Sequence, residues 1–361
     1  MAIKLSGEHG EGGGSIVRVA LALSTITGKA FEVDNIRKGR PKPGLKAQHL
    51  YCIKALQALC SAEVEGASLG SSYLKYNPGK ISAKTIKVDI GTAGSIALLL
   101  QSVLPPCLFA DGNIKLEITG GTSGKWAAPF DYFNNVFVPI IKGFCEKIDV
   151  KLIRRGYYPK GQGKIELKIK PEYKLSDFSD FNELYSHLKQ KDPLNINLIE
   201  QGELVKIEGI SHASLSLEMA DVAERQARTA KLELTKLGCP VNIQAEYCDT
   251  ASIGSGITLW AAFSKDYEQA RLGADALGEP GKKAEVVGEE AAKKLIKEIE
   301  SKAPVDKHLA DQILLFMAFT KNSKIKVSEL TNHCRTNIYV IEEFLGKVFK
   351  VDEEEKIISL V

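Results

Sequence analysis

His308 opens the segment His308-Leu-Ala-Asp-Gln-Ile-Leu-Leu-Phe-Met-Ala-Phe319, an apolar helix whose first turn carries its only polar groups. Asp311 and Gln312 follow three and four residues later and therefore share the face of the histidine. A carboxylate so placed can accept a hydrogen bond from one imidazole nitrogen and leave the other free to attack an electrophile, which is how a covalent nucleophile is arranged. A plain N-terminal helix cap uses the same residue types, and local sequence leaves both readings open. The other histidines, His9, His49, His187, His212 and His333, carry no comparable pattern.

A second chemical candidate is the loop Gly7-Glu-His-Gly-Glu-Gly-Gly-Gly14. Glycines let backbone N–H groups approach an anion at a helix N-terminus, but Glu8 and Glu11 would repel a bare phosphate. The loop makes better sense as a metal-plus-phosphate site, with a tight turn as the plain alternative. Arg37, Lys38, Arg40, Lys42 and Lys46 form a basic stripe, suited to phosphate but equally to a solvated loop. Gly120-Gly-Thr-Ser-Gly-Lys-Trp126 is not a P-loop, since only three residues separate Gly120 from Gly124 and Trp126 stands where a hydroxyl is needed. With no G-x-G-x-x-G after a strand either, any nucleotide must be held in another way.

The elements that must position these residues read as repeated αβ units. Ala2–Ser6 is a short strand feeding the glycine loop and a helix, and Ile86–Ile90 leads in the same way into Gly91-Thr-Ala-Gly-Ser95 and a helix. Gly14-Ser15-Ile16 and Gly94-Ser95-Ile96 mark the repeat. A third unit is expected to start at the strand Ile165–Ile169 and to resume at a helix Glu285–Ile299. Between them lies an insertion that opens with a polar tract, 176–192, and continues with strand Glu203–Glu208, helix Leu217–Leu237, and strands Val241–Tyr247 and Ile257–Phe263.

The 361 residues, 44% hydrophobic and 26% charged, can bury a substantial core and predict two domains. The net charge of +3 does not announce nucleic-acid binding by itself. Seven cysteines without a C-x-x-C pair indicate neither a zinc site nor a disulfide framework, and no apolar run suits a signal peptide or a membrane span. A soluble, cytoplasmic protein is expected.

Six ordered blocks carry a family resemblance: Gly10-Glu-Gly-Gly-Gly-Ser-Ile-Val-Arg18, Ile36 to Leu50, Gly91-Thr-Ala-Gly-Ser95 with Gln101, Arg155-Gly-Tyr-Tyr-Pro-Lys-Gly-Gln-Gly163, His308-Leu-Ala-Asp-Gln312 and Thr336-Asn337-Ile338. Together they resemble the RNA 3′-terminal phosphate cyclase family across essentially the whole chain. The resemblance implies an α+β fold: a large domain of three repeated units, each two helices on a four-stranded sheet, spanning 1–177 and 276–361, with a small βαβα-type domain inserted at 178–275. It implies a ligase in which His308 attacks the α-phosphate of ATP, AMP passes from histidine to an RNA 3′-phosphate, and the 2′-OH displaces AMP to leave a 2′,3′-cyclic phosphate. By the same match Glu11 would help hold a divalent cation, Mg²⁺ or Mn²⁺. Arg18, Arg37, Arg40 and Gln48 would grip the RNA end. Gln101 and Lys283-Ala284-Glu285-Val286-Val287 would line the adenylate pocket, with Pro129, Asp131 and Asp311 at its margins. The alternatives are a non-catalytic ribosome-assembly relative, which would lack the histidine, and a carboxyvinyl transferase, which would not need it. Oligomeric state has no signature in the sequence.

Overall fold

Strands that alternate in burial cover one face of a sheet and need helices to cover the other. The structure, a computed structural model, describes residues 2–10, 12–264 and 271–361 and solves this problem three times in the same way. The first unit runs β1 (Ile3–Ser6), α1 (Ser15–Thr27), β2 (Phe31–Asp34), α2 (Ala47–Cys60), β3 (Glu63–Glu65) and β4 (Leu74–Asn77), with strand order β1-β2-β4-β3. The second runs β5 (Thr85–Asp89), α3 (Ile96–Cys107), β6 (Ile114–Gly120), then α4 (Phe130–Tyr132), a π-helical turn (Phe133–Phe137) and α5 (Val138–Ile141), and closes with β7 (Cys145–Arg154) and β8 (Gly163–Pro171) in the order β5-β6-β8-β7.

After α6 (Phe181–Leu188) comes β9 (Asn197–Leu198), and then a different module intervenes. It comprises β10 (Leu204–Ser214), α7 (Val222–Leu234), β11 (Val241–Cys248), β12 (Ser255–Phe263), β13 (Arg271–Leu277) and α8 (Ala284–Glu300), with strand order β11-β10-β12-β13. The chain then resumes with α9 (Lys307–Ala318), β14 (Lys324–Lys326), α10 (Asn332–Leu345), β15 (Phe349–Asp352) and β16 (Ile357–Leu360). These pair back to β9 in the order β15-β16-β14-β9, so the third unit repeats the first two with the module inserted after its first strand. In each unit the first two strands are parallel, and the second and fourth are antiparallel.

Two expectations about the third unit need correction. The strand at 165–169 lies in β8, paired antiparallel to β6 within the second sheet. The helix at 285–299 lies in α8, whose Val287, Ala291, Ala292 and Leu295 pack in the inserted module's own core. The true first strand of the third unit, β9, is two residues long and too short for a periodic signal. Conversely, Phe181, Leu184 and Leu188 of α6 are buried in the main core. On this packing we propose that the inserted unit runs from about Glu203 to Glu300, later at both ends than the sequence suggested.

The helices of the three units form one continuous layer: α1 packs against α2, α3 and α10, and α10 against α9. Every residue from Ser15 to Ile26 of α1 is buried, its eight apolar side chains together with Ser15, Arg18, Ser24 and Thr25. The module's sheet is covered by α7 and α8 on one face, while β12 and β13 meet α4 on the other. Among the described residues no helix is long and apolar enough to cross a membrane, and the cysteines are free thiols.

Candidate active site

The imidazole of His308 stands at the start of α9, and its position is set by a carboxylate two residues earlier. Asp306, with no exposed surface, caps the helix by accepting from the backbone N–H groups of His308 and Leu309, both at 2.9 Å. It also accepts from the backbone N–H of Gly273 in β13 at 2.9 Å and from the Tyr132 hydroxyl at 2.7 Å. One side chain thus ties the third unit, the inserted module and the second unit together at the helix end that carries His308. Only glycine fits at 273, because a Cβ there would fall on the Tyr132 ring. Burial pulls the Asp306 pKa up, and the four donors pull it back.

His308 is exposed by surface area, yet enough protein crowds the ring that desolvation is the largest influence on it and lowers its pKa. Asp275 of β13 partly counters this, and Lys307 adds to it. Among the described residues no hydrogen bond reaches the ring, so a neutral imidazole faces solvent near neutral pH. Asp275, raised in pKa by its own burial, is the carboxylate with the largest effect on the ring. It escaped the sequence reading because it lies in another element, far from His308 along the chain. Asp311, expected beside the imidazole, offers its backbone carbonyl to Asn337 Nδ2 at 2.9 Å.

A second group forms where α1, α2 and α3 meet. Arg18, 6% exposed inside an apolar helix, donates from Nε to Gln101 Oε1 at 2.9 Å, so two expected site residues touch. His49, 1% exposed, joins them: the space beside Gly14 is filled by the His49 ring and the Arg18 guanidinium, leaving no room for a Cβ. His49 Nδ1 accepts from the backbone N–H of Lys46 at 2.9 Å, which places the proton on Nε2. That buried Nε2 and the buried Ser15 Oγ have no hydrogen-bond partner. Two unsatisfied polar atoms beside a buried arginine at a glycine-led helix N-terminus are donors of the kind that an anion can satisfy. His49 was not singled out in the sequence, although its place three residues after the N-cap Lys46 is the capping-box position and could have marked it.

Desolvation, with Arg18, Arg37 and Lys46 nearby, lowers the His49 pKa to about 3. A histidine held neutral in the fold but titrating near 6.5 unfolded contributes stability that is whole above 6.5 and is lost as pH falls toward 3. His49→Gln is therefore expected to lose less stability than the parent between pH 7 and pH 4, by about 3 kcal/mol, in urea unfolding at the two pH values. Equal losses in the two proteins would show that His49 is not held neutral.

Arg37 donates from Nη1 to the backbone carbonyls of Lys42 and Gly44 at 2.7 and 3.1 Å, shaping its own loop, and Arg40 follows one turn on. Gln48, at the start of α2, lies against the turn at Gly94. α10 meets both the glycine loop, where Thr336 stands beside Gly10, and α9, where Asn337 donates to the Asp311 carbonyl. Glu11 lies outside the described residues. Glu8 is paired with Lys38 at 3.0 Å. Among the described residues no three His, Cys, Asp or Glu side chains converge to hold a metal ion. Magnesium needs only one or two carboxylates when substrate phosphates supply other ligands, so this arrangement is compatible with a nucleotide-borne ion.

The remaining expected residues have other engagements. Both carboxylate oxygens of Asp131 are taken by Arg155, from Nη1 at 2.7 Å and from Nη2 at 3.0 Å. Arg155 also donates to Glu246 of the inserted module, and His212 of that module stands 3.7 Å from Asp131. Pro129 is buried just before α4. Ala284 and Val287 are buried, Lys283 and Val286 are exposed, and Glu285 takes a bidentate pair from Arg225 at 2.7 and 2.9 Å, which holds its pKa down at about 2.

A solvent-facing imidazole of lowered pKa on α9 and a buried group of polar side chains between α1, α2 and α3 are thus carried by one helix layer. Comparison with known proteins agrees on the lineage. The family model described as RNA 3′-terminal phosphate cyclase matches residues 9–351. Proteins named RNA 3′-terminal phosphate cyclase are similar throughout: that of Pyrococcus abyssi is 45% identical, covering 98% of this chain and 96% of its own. That of Archaeoglobus fulgidus is 42% identical over 99% of this chain and 100% of its own, and that of Pyrobaculum aerophilum 40% over 98% and 96%. With nearly the whole length matched and the repeated fold in place, the chain belongs to the RNA 3′-terminal phosphate cyclase family.

Proposed function

We propose that this protein converts an RNA 3′-phosphate to a 2′,3′-cyclic phosphate at the expense of ATP, in the cytoplasm, with His308 as the covalent carrier of AMP. The observation that carries this reading is the exposed, neutral imidazole of His308, fixed by Asp306 and free of hydrogen bonds from the described residues. A phosphate monoester has no good leaving group and cannot cyclise until one is attached. In the first step an imidazole nitrogen of His308 attacks the α-phosphorus, a P–N bond forms and pyrophosphate leaves. In the second, an oxygen of the RNA 3′-phosphate attacks the same phosphorus, the P–N bond breaks and an RNA-(3′)pp(5′)A end results. In the third, the neighbouring 2′-OH loses its proton and attacks the RNA phosphorus, and AMP departs.

Arg18, His49 and the Ser15 hydroxyl supply donors for the terminal phosphate, and Arg37, Arg40 and Gln48 extend that grip along the α2 side. Gln101 acts by orienting Arg18. Glu11 would contribute a carboxylate to a divalent cation, Mg²⁺ or Mn²⁺, whose charge would offset that building on the transferring phosphoryl group. Lys283 and Val286, exposed at the start of α8, are the members of the 283–287 segment available to a nucleotide.

The test is to incubate the protein with ATP, Mg²⁺ and an RNA ending in a 3′-phosphate and to follow the end group. A phosphatase-resistant cyclic end formed together with AMP and pyrophosphate is expected. An RNA end that stays phosphatase-sensitive would instead favour the non-catalytic scaffold.

A further inference from the structure

Two large aromatic side chains stand in water on loops that rest on the turn before α3, the turn that Gln48 of α2 also meets. Trp126 is 94% exposed and Tyr158 is 79% exposed, whereas the other tryptophan, Trp260, is only 7% exposed. Trp126 also holds a φ of 65°, a left-handed conformation that side chains other than glycine adopt at some cost. The two rings sit on the β6–α4 loop and the β7–β8 turn, and these are fastened to each other at their roots. The Thr122 N–H donates to the Gly156 carbonyl and the Gly156 N–H to Thr122 Oγ1, both at 3.0 Å.

Both segments also rest on the turn before α3. The Gly121 N–H donates to the Gly94 carbonyl at 2.8 Å, and Gly161 lies against Thr92 and Ala93. Gln48 packs on that same turn from the α2 side. Exposed cations flank the rings along the chain: Lys125, which reaches Glu279 at 3.2 Å, precedes Trp126, and Arg154, Lys160 and Lys164 belong to the β7–β8 hairpin that carries Tyr158.

Stacking rings alternating with cations are what proteins use to hold single-stranded nucleic acid without reading its sequence. We propose that Trp126 and Tyr158 stack on nucleobases of the RNA strand immediately upstream of its 3′-phosphate, while the neighbouring lysines and Arg154 follow the backbone. The inference rests on the reading of the chain as an enzyme of RNA 3′-phosphate ends. It gives a role to the Arg155–Gly163 motif and to the loop that superficially imitates a P-loop. It also makes the site indifferent to base identity, since every base has a face to stack.

The test uses the full chain and its own fluorescence, because Trp260 is buried and quenching by added ligand reports on Trp126. A short 3′-phosphorylated oligoribonucleotide should quench the emission, and the same oligomer with abasic sites upstream of its end should quench far less. Trp126→Leu and Tyr158→Leu should each raise KM for RNA about tenfold with kcat little changed, and Trp126→Phe should recover most of the loss. AMP labelling from ATP alone, which needs no RNA, checks that each variant is folded.

Quenching by ATP with nothing added by the oligomer would assign the indole to adenine and overturn the proposal. So would parental RNA binding by both leucine variants. A parent that forms no cyclic end would overturn the proposed function instead, and the oligomer titration would still decide whether the rings bind bases.

Discussion

With His308→Ala, the transfer of label from α-labelled ATP to the protein is expected to fall by on the order of 10⁴-fold or more, the scale seen when a covalent nucleophile is removed. The parent should carry an acid-labile, alkali-stable label, as a phosphorus–nitrogen bond requires. Labelling of His308→Ala as strong as that of the parent would remove the histidine from the reaction. The pH dependence follows from the lowered pKa of His308, whose first cause is desolvation. Because the free base attacks, the labelling rate should hold below pH 6.5, where an ordinary histidine would already be half protonated, and fall only at lower pH. Asp306 enters this result indirectly: it fixes the helix end, so Asp306→Ala should slow labelling through misplacement of the ring rather than through loss of the nucleophile.

The second large effect is on stability. Arg155 and Asp131 are 1% and 2% exposed and bonded bidentately where the second unit meets the inserted module. Burial opposes the charge on Arg155, and Asp131 with Glu246 more than offsets it. Removing Asp131 leaves a buried guanidinium with the partly exposed Glu246 as its remaining carboxylate partner, so Asp131→Ala should cost about 3–5 kcal/mol. Urea unfolding measures it. Should Asp131→Ala unfold at the parent's midpoint yet lose labelling from ATP, the residue would belong to the nucleotide pocket, as the family resemblance implied, and not to the clamp between units.

The repeat was legible because each unit begins with a strand, a small-residue turn and an apolar helix, and two of the three copies kept recognisable turns, at Gly14 and Gly94. The third was misplaced because its first strand has two residues and its first helix lies beyond the whole inserted module. Within the site, Arg18 and Gln101 could be paired only through family blocks, since eighty-three positions separate them. His49, Asp306 and Asp275 went unnoticed for a common reason. Their importance comes from what other elements bring to them: the packing against Gly14, the N–H of Gly273 and the ring of His308. A linear pattern does not record such encounters.

The insertion between β9 and α9 also dictates an order of assembly. The first two units are complete once residue 171 has left the ribosome, whereas the third cannot close its sheet until β15 and β16 emerge, more than 150 residues after β9. β9 has no strand to pair with until β14 emerges, and an inserted module that has folded and brought its two ends together lets β14 find it. Because Asp306 draws one of its hydrogen bonds from that module, the start of α9 is set in place only against a module that has already folded. A chain interrupted between His308 and β15 would carry the histidine on a unit whose sheet is still open.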